Sequence, residues 1–417
     1  VSSPPTADLL SKFQVMTNLF LTEKVKALLP AYQDFLKEEV YPIELAAVTK
    51  PFRQSLPLLK NLRAKAKEKK LFAPHLTEKE GGVGLSLVEF AQVSELLGTS
   101  PIGHYLFNCQ APDIGNMELL HGFASDELKE KFLHPLMHGD IRSCFAMTEP
   151  EMAGSNPVQL ATTAVRDGND YVINGHKWFT SSADGASLTI VMAVTDAHNA
   201  SPYLRASMIL VPIPTSGYEL IRNIPVMGEA GEDYLSHGEV RFTNCRVPLS
   251  NLIGEEGKGF ALAQARLGPG RIHHCMRWIG ICERVFDMMC QRAATRKLDE
   301  HRLLGHQQII QSWIAECRAE INAARLMVLQ TAHEMELSGA KAVKDEVAAI
   351  KFYVANVLSN VMDKAVQVYG GLGITDDTLL SFWYRHERAA RIYDGPDEVH
   401  KTSLAKSILK KYGMSFK

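Results

Sequence analysis

Apolar residues return along this chain in two rhythms, and the change between them divides it into three zones. Over residues 1–142 they recur every three or four positions, as in VKALLPAYQDFLKEEVYPIE and LVEFAQVSELLG. That spacing puts them on one face of a helix, and Gly98 is placed to stop the second of these. Over residues 143–253 the period falls to two, as in a strand with one buried face. LTIVMAVT, RASMILVPI and GEVRFTNCRVP read as strands; in the last, Val240 and Phe242 share one face while Glu239, Arg241 and Thr243 share the other. DYVINGHKWF reads as a hairpin turning at Asn174-Gly175, a pair suited to positive φ. From 254 to 417 the helical period returns in longer runs. IKFYVANVLSNVMDKAVQVYGG aligns Val354, Val357, Leu358, Val361, Ala365 and Val368 before Gly370-Gly371 end it. No βαβ alternation occurs. The pattern predicts an α+β, mainly α protein: a helical domain over 1–142, an antiparallel sheet or barrel over 143–253, and a helical domain over 254–417.

Composition narrows the function more than the fold. A chain of 417 residues exceeds one ordinary core. Its net charge of −2 gives no global field toward nucleic acid or an anionic membrane. The basic run KNLRAKAKEKK (60–70) reads as a solvated helix face. No apolar run reaches the ~18 residues of a membrane span. The seven cysteines are odd in number and form no CxxC pair, which points to a reduced, intracellular setting. That is a bacterial cytoplasm, or a mitochondrion or peroxisome in a eukaryote. The opening VSSPPTADLL has the character of neither a signal peptide nor an Arg-rich transit peptide. GxxxxGK[ST], GxSxG and HExxH are absent, and GEEGKGF (254–260) has the wrong spacing for a phosphate loop. His273 and His274 are adjacent, so they point to different helix faces, and no metal site is expected.

RIYDGPDEVHK (391–401) holds three carboxylates in five positions. Pro396 suits the first position of a helix, where its missing N–H costs nothing. Asp397 and Glu398 then fall in the first turn and favour the helix dipole. Asp394 lies ahead of that helix, on the entering loop, free for chemistry.

Five separated stretches, in order, resemble one family. FAMTEPEMAGSN (145–156), GHKWFTSS (175–182), CRVPLSNLIGEEGKGF (245–260), VQVYGGLG (366–373) and RIYDGPDEVH (391–400) are similar to the flavin-dependent acyl-CoA dehydrogenases. The likeness runs from about residue 20 to the end. LGPGRIHHCMR (267–277) with DGPDEVH further resembles the subgroup of family members ten and eleven. The resemblance implies an N-terminal helical domain, a central β-domain, a C-terminal four-helix bundle, FAD held between the last two, and a homotetramer. The implied reaction is α,β-dehydrogenation of an acyl-CoA, with electrons passing to electron-transfer flavoprotein.

Site residues follow from the same resemblance. Met147 and Thr148 lie at the flavin's pyrimidine end, although Glu149-Pro150 also suits a plain turn. Trp178 flanks the flavin ring and Thr180 sits near N5. Ser155 matches a serine near the thioester, with one residue more than the family's E-P-x-x-G-S spacing. From a neighbouring subunit, Arg296 reaches the pyrophosphate, and Gln367, Gly370 and Gly371 offer backbone to the ADP half. In RKLDEHRLLGHQ (296–307), however, Asp299 and Glu300 stand where the family has Phe and Gly. Acidic groups there repel a pyrophosphate; Arg302 is placed to offset them, and an exposed charged loop is the other reading. Asp394 takes the place of the catalytic Glu. The other position that carries the base in some family branches is Gly270 here, which has no carboxylate. Asp is shorter than Glu by about 1.5 Å, so the rigid Gly395-Pro396 pair is expected to bring it forward, with Pro396 also against the cofactor. Desolvation by a bound acyl chain is expected to raise its pKa. Arg271, His274, Tyr393 and Gly395 line the substrate. Arg and His in GRIHHCMRW suit an oxygen-bearing chain such as a 4-hydroxyacyl group, or pair with acids between helices. An oxidase of the same fold and a flavin-free helical scaffold are the alternatives.

Overall fold

The change of period marks a change of structure. The computed structural model describes residues 19–416, so VSSPPTADLL lies outside it. Four of its longer helices come first: α1 (Glu23–Phe35), α2 (Phe52–Glu68), α3 (Leu87–Leu97) and α4 (Asp113–Phe123). The start of α3 is set by a capping box between Ser86 and Glu89, and Gly98 caps its end. The basic run falls on α2, but its Arg63 turns inward and is buried. There it donates to Asn108 Oδ1 at 2.9 Å and to the Gly139 carbonyl at 3.3 Å, so only part of the run is a solvated face.

Eight strands follow: β1 (Ser143–Ala146), β2 (Thr163–Asp167), β3 (Asp170–Ser181), β4 (Leu188–Val194), β5 (Ala206–Pro212), β6 (Tyr218–Asn223), β7 (His237–Pro248) and β8 (Leu252–Ile253). They form one sheet in the order β6-β7-β3-β2-β4-β5-β8, with β1 beside β4. Most pairings are antiparallel, as expected. β1–β4 and the single β2–β4 contact, Thr163 with Val194, are parallel, because neither pair is joined by a hairpin that would reverse the chain. On β7, Val240 and Phe242 are buried while Arg241 and Thr243 are exposed.

The hairpin expected at Asn174-Gly175 is elsewhere. β3 runs straight through that pair, with a register shift between Ile173 and Gly175. The turn is Gly168-Asn169, where Asp167 pairs with Asp170 and Gly168 has φ +63°. Asn174 and Gly175 serve neighbours instead. Asn174 Oδ1 accepts the Asn244 N–H at 2.8 Å. A Cβ at Gly175 would stand 2.2 Å from Thr162 Oγ1.

The C-terminal part holds three long helices, α5 (Gly259–Thr295), α6 (Gln308–Ser338) and α7 (Lys344–Tyr369), then α8 (Leu379–Glu387) and α9 (Asp397–Lys411). The six stripe residues of α7, from Val354 to Val368, are all buried. One hydrophobic cluster joins them to the N-terminal helices, through Phe90 and Leu97 on α3 and Ile272 and Met276 on α5. Glycine permits that junction. A Cβ at Gly98 would lie 2.4 Å from the Arg277 carbonyl oxygen, and one at Gly280 would lie 1.9 Å from that of Glu95. Among the described residues, no helix is long and apolar enough to cross a membrane.

Gly280→Ala is therefore expected to force α3 off α5 and cost about 3 kcal/mol, the upper end of overpacking. Gly122→Ala on α4, where a Cβ meets nothing within 4 Å, should instead be neutral or stabilising. Denaturant midpoints of the two variants measure the contrast.

Candidate active site

The β-domain contributes a wall built on β3. Tyr171, Ile173 and Lys177 all face its buried side, so a lysine enters the sheet's interior. Burial pushes the Lys177 ammonium down to about 8, with Glu149 pulling the other way. Nζ donates to Glu149 Oε1 and to the Met147 carbonyl, each at 2.8 Å. Glu149 also accepts the N–H groups of Ala161 at 2.6 Å and Thr162 at 2.9 Å. Glu149 is thus a buried anchor as well as part of a turn, and it locks Met147-Thr148 against β3. Thr148 and Trp178 complete the lock: the Trp178 N–H donates to the Thr148 carbonyl at 3.1 Å, and the Thr148 hydroxyl donates to the Trp178 carbonyl at 2.8 Å. The Trp178 side chain stays half-buried. Thr180 is fully buried, and its hydroxyl has no partner among the described residues.

The loop 391–396 brings a carboxylate back onto α5. Asp394 has φ +52° and Gly395 φ +98°, and the left-handed region costs a non-glycine residue about 1 kcal/mol or more. Gly395 must be glycine, since a Cβ there would stand 2.6 Å from His400 Nε2. The loop is held by donors from two helices, with His400 Nε2 3.0 Å and Arg271 Nε 3.1 Å from the Asp394 carbonyl oxygen. His274 Nε2 lies 3.1 Å from the Asp394 carboxylate. Burial alone would raise this carboxyl. The His274 N–H and the guanidiniums of Arg266 and Arg271 outweigh that and hold it well below the usual carboxylate range. His274 and the neighbouring cations thus act more strongly on Asp394 than desolvation by the protein itself. Burial also lowers His274, so its ring is a neutral donor to an ionised Asp394.

The other two carboxylates of this stretch are accounted for. Asp397 is buried at the first position of α9, and its Oδ2 accepts from Asn356 Nδ2 at 2.8 Å and Arg391 Nε at 2.9 Å. Glu398 is exposed. Pro396 is the N-cap rather than the first helical residue, because its ψ of 155° is extended.

The basic residues of α5 divide. Arg277 pairs with Glu387, and both Arg277 and Trp278 Nε1 donate to the Tyr393 hydroxyl, at 3.0 and 3.1 Å. This is the pairing with acids between helices. Arg266 and Arg271 make no ion pair with a carboxylate among the described residues; Arg266 Nε donates to Asn116 Oδ1 at 3.1 Å. At Gly270 a Cβ would meet nothing within 4 Å, so space lies beside Arg271. His273 faces a cavity of about 360 Å³ lined also by His75, Phe90, Met117 and Glu118. Both His75 ring nitrogens, His273 Nδ1 and Glu118 Oε2 lack partners among the described residues.

The remaining expected residues lie apart. Ser155 is exposed on the loop after Pro150. Arg296 is exposed just past α5, 25 residues beyond Arg271 and so about 38 Å away at roughly 1.5 Å per residue. Gln367, Gly370 and Gly371 are exposed at the end of α7, the same end of the bundle, where Arg292 lies over the Tyr369 ring at 5.5 Å. Arg302 does offset Asp299, with Nε 2.7 Å from its carboxylate. Sequence reading missed Glu149, Lys177, Arg266, Glu387 and His400; Lys177 alone carried a signal, a charge on the inward face of a strand.

Comparison with known proteins finds acyl-CoA dehydrogenase models matching all three parts: the N-terminal domain over 22–140, the middle domain over 144–245 and the C-terminal domain over 257–409. Acyl-CoA dehydrogenase family member 11 of Gallus gallus is 40% identical over 400 residues, 93% of this chain and 51% of that protein. The chain thus spans about half the length of that relative. FadE2 of Mycobacterium tuberculosis is 42% identical over 392 residues, covering 92% of this chain and 95% of its own. A solved acyl-CoA dehydrogenase structure from Geobacillus kaustophilus superposes with a TM-score of 0.78 at 27% identity, over 94% of this chain and 100% of that one.

Lys177→Met should cost about 3–5 kcal/mol, because it leaves Glu149 buried and unpaired. Adding Glu149→Gln should recover much of that loss, as measured by denaturant unfolding of the single and double variants.

Proposed function

The chain belongs to the acyl-CoA dehydrogenase family, and we propose that it removes the α-proton and β-hydride of an acyl-CoA thioester with Asp394 as base and FAD as cofactor. One observation carries the reading. Asp394 is the carboxylate of its stretch that is neither spent in a structural ion pair with an arginine nor pointed to solvent.

The residues present fit FAD. Thr180 offers a buried hydroxyl without a partner, and the half-buried Trp178 indole offers a flat face beside it. Met147 and Thr148 are locked next to them. At the far end of the bundle, Gly370 has φ +63°, and a Cβ at Gly370 or Gly371 would meet nothing within 4 Å. That turn, Gln367 and Arg296 are too far from Asp394 to share its acyl group, which supports their serving a neighbouring copy's cofactor in a homotetramer. Bound flavin supplies the hydride acceptor, and electron-transfer flavoprotein is the partner that takes the electrons onward.

The chain's own residues do the rest. Asp394 accepts the α-proton, and His274 holds its carboxylate by one oxygen, leaving the other to face the thioester. The Asp394 N–H donates to no group among the described residues, which leaves it for the thioester oxygen. Arg266 and Arg271 stabilise the negative charge that grows as the proton leaves. Space beside Gly270 admits the thioester end, and the cavity at His273 lies within the size range of ligand sites. Its unpaired polar atoms, with two arginines that lack acidic partners, favour a chain carrying an oxygen, such as a 4-hydroxyacyl group, over a bare hydrocarbon.

Asp394→Asn is expected to retain FAD and bind acyl-CoA with little change, yet lose at least about 100-fold in the rate of flavin reduction, within the usual scale for a general base. Stopped-flow absorbance under anaerobic conditions measures this, and wild-type rates in the variant would remove the assignment. On the wild type, equal efficiency with straight-chain and 4-hydroxyacyl-CoAs would count against the polar pocket. Stoichiometric hydrogen peroxide in air would favour an oxidase.

A further inference from the structure

A buried lysine braces the loop that carries Asp394. Lys351 lies on α7 with no exposed surface. Its Nζ donates to the Ala390 carbonyl at 2.6 Å and the Gly395 carbonyl at 2.9 Å. The two carbonyls flank Asp394, one four residues before it and one just after. Nζ also stands 5.8 Å from the Trp278 ring centroid and 5.7 Å from that of Tyr393. Among the described residues no carboxylate is within ion-pair distance of it. Burial pushes its ammonium down to about 8, although Asp394 and Asp397 favour the charge.

Burying an ammonium without an acid partner is costly, and an apolar side chain of like volume would often serve packing as well or better. Packing therefore does not explain this residue, and the two hydrogen bonds do. Asp394 and Gly395 both hold positive φ, a shape that persists only if its surroundings enforce it. Arg271 and His400 grip the Asp394 carbonyl itself, and Lys351 ties the chain on either side of it.

We infer that Lys351 is a positioning residue for the proposed dehydrogenation: it fixes the loop 390–395 so that the short Asp394 side chain meets the α-carbon. The inference rests on Asp394 being the base. It adds to that reading the part of the fold that places it.

The test uses FAD-loaded protein with Lys351→Met. A displacement of ~1 Å is expected to cost ~100-fold in kcat per bound flavin, with KM and flavin content within about twofold of wild type. Hydrogen–deuterium exchange should quicken at least about tenfold over residues 389–396, where the clamp is lost, and stay unchanged over β3. A packing role alone would lower stability but leave kcat per flavin intact. Wild-type kcat, or a lower kcat with unchanged exchange over 389–396, would overturn the inference. If the Met variant does not fold, Lys351→Gln, which keeps a donor, decides by the same two readouts with a smaller change of at least about tenfold in kcat. If the wild type reduces no flavin with any acyl-CoA, the base assignment fails, and the exchange arm still reports whether Lys351 holds the loop.

Discussion

The C-terminal half is arranged around one carboxylate in an excess of positive charge. Arg266, Arg271 and His274 from α5, Lys351 from α7 and His400 from α9 all surround Asp394 or its carbonyl. None of the three full cations has an acid partner at ion-pair distance among the described residues, so the field at the site is positive. That field has two opposite effects. It keeps Asp394 ionised, which makes it a weak base. For the reaction we propose, it also favours negative charge on a thioester beside it, which makes the α-proton easier to remove. The second effect can offset the first only if carboxylate and α-carbon are held at contact. Geometry, more than basicity, is then what the site supplies.

The β-domain is built on similar lines at a different place. Lys177 and Glu149 form a buried pair that fixes the Met147-Thr148 edge to β3. In both places a buried lysine donates to a backbone carbonyl and so sets where a loop lies. In both, the lysine stands on a rigid element and adds to what the loop's own residues fix, as a preorganised site requires. The exposed glycines and Arg296 lie at the other end of α5 and α7, so in the function we propose one chain presents two separate sets of residues to cofactors.

Much of this was legible from residue order. The switch from period 3.6 to period 2 and back located the sheet, and the apolar stripe of α7 is buried residue by residue. The turn at Asn174-Gly175 was not, because a pair that suits a hairpin also suits a bulge, and only the partner strand decides. Gly175 is needed for Thr162 and Asn174 for Asn244, contacts made across 13 and 70 residues. Lys351 and Lys177 each break an apolar pattern, at one turn before Val354 and on the inward face of β3. A charge in such a place announces a buried partner, but the partners, Ala390 and Gly395 or Met147 and Glu149, follow from the folded chain alone. The groups that hold the Asp394 carboxyl down were hidden for the same reason: Arg266, Arg271 and His274 stand on α5, far back along the chain.

The most direct measurement is an anaerobic titration of the purified protein with acyl-CoA, followed by visible absorption. The account predicts a yellow protein whose colour bleaches as substrate is added and does not return until an electron acceptor is supplied. A colourless protein that takes up no added FAD, or a yellow one that no acyl-CoA bleaches, would contradict it.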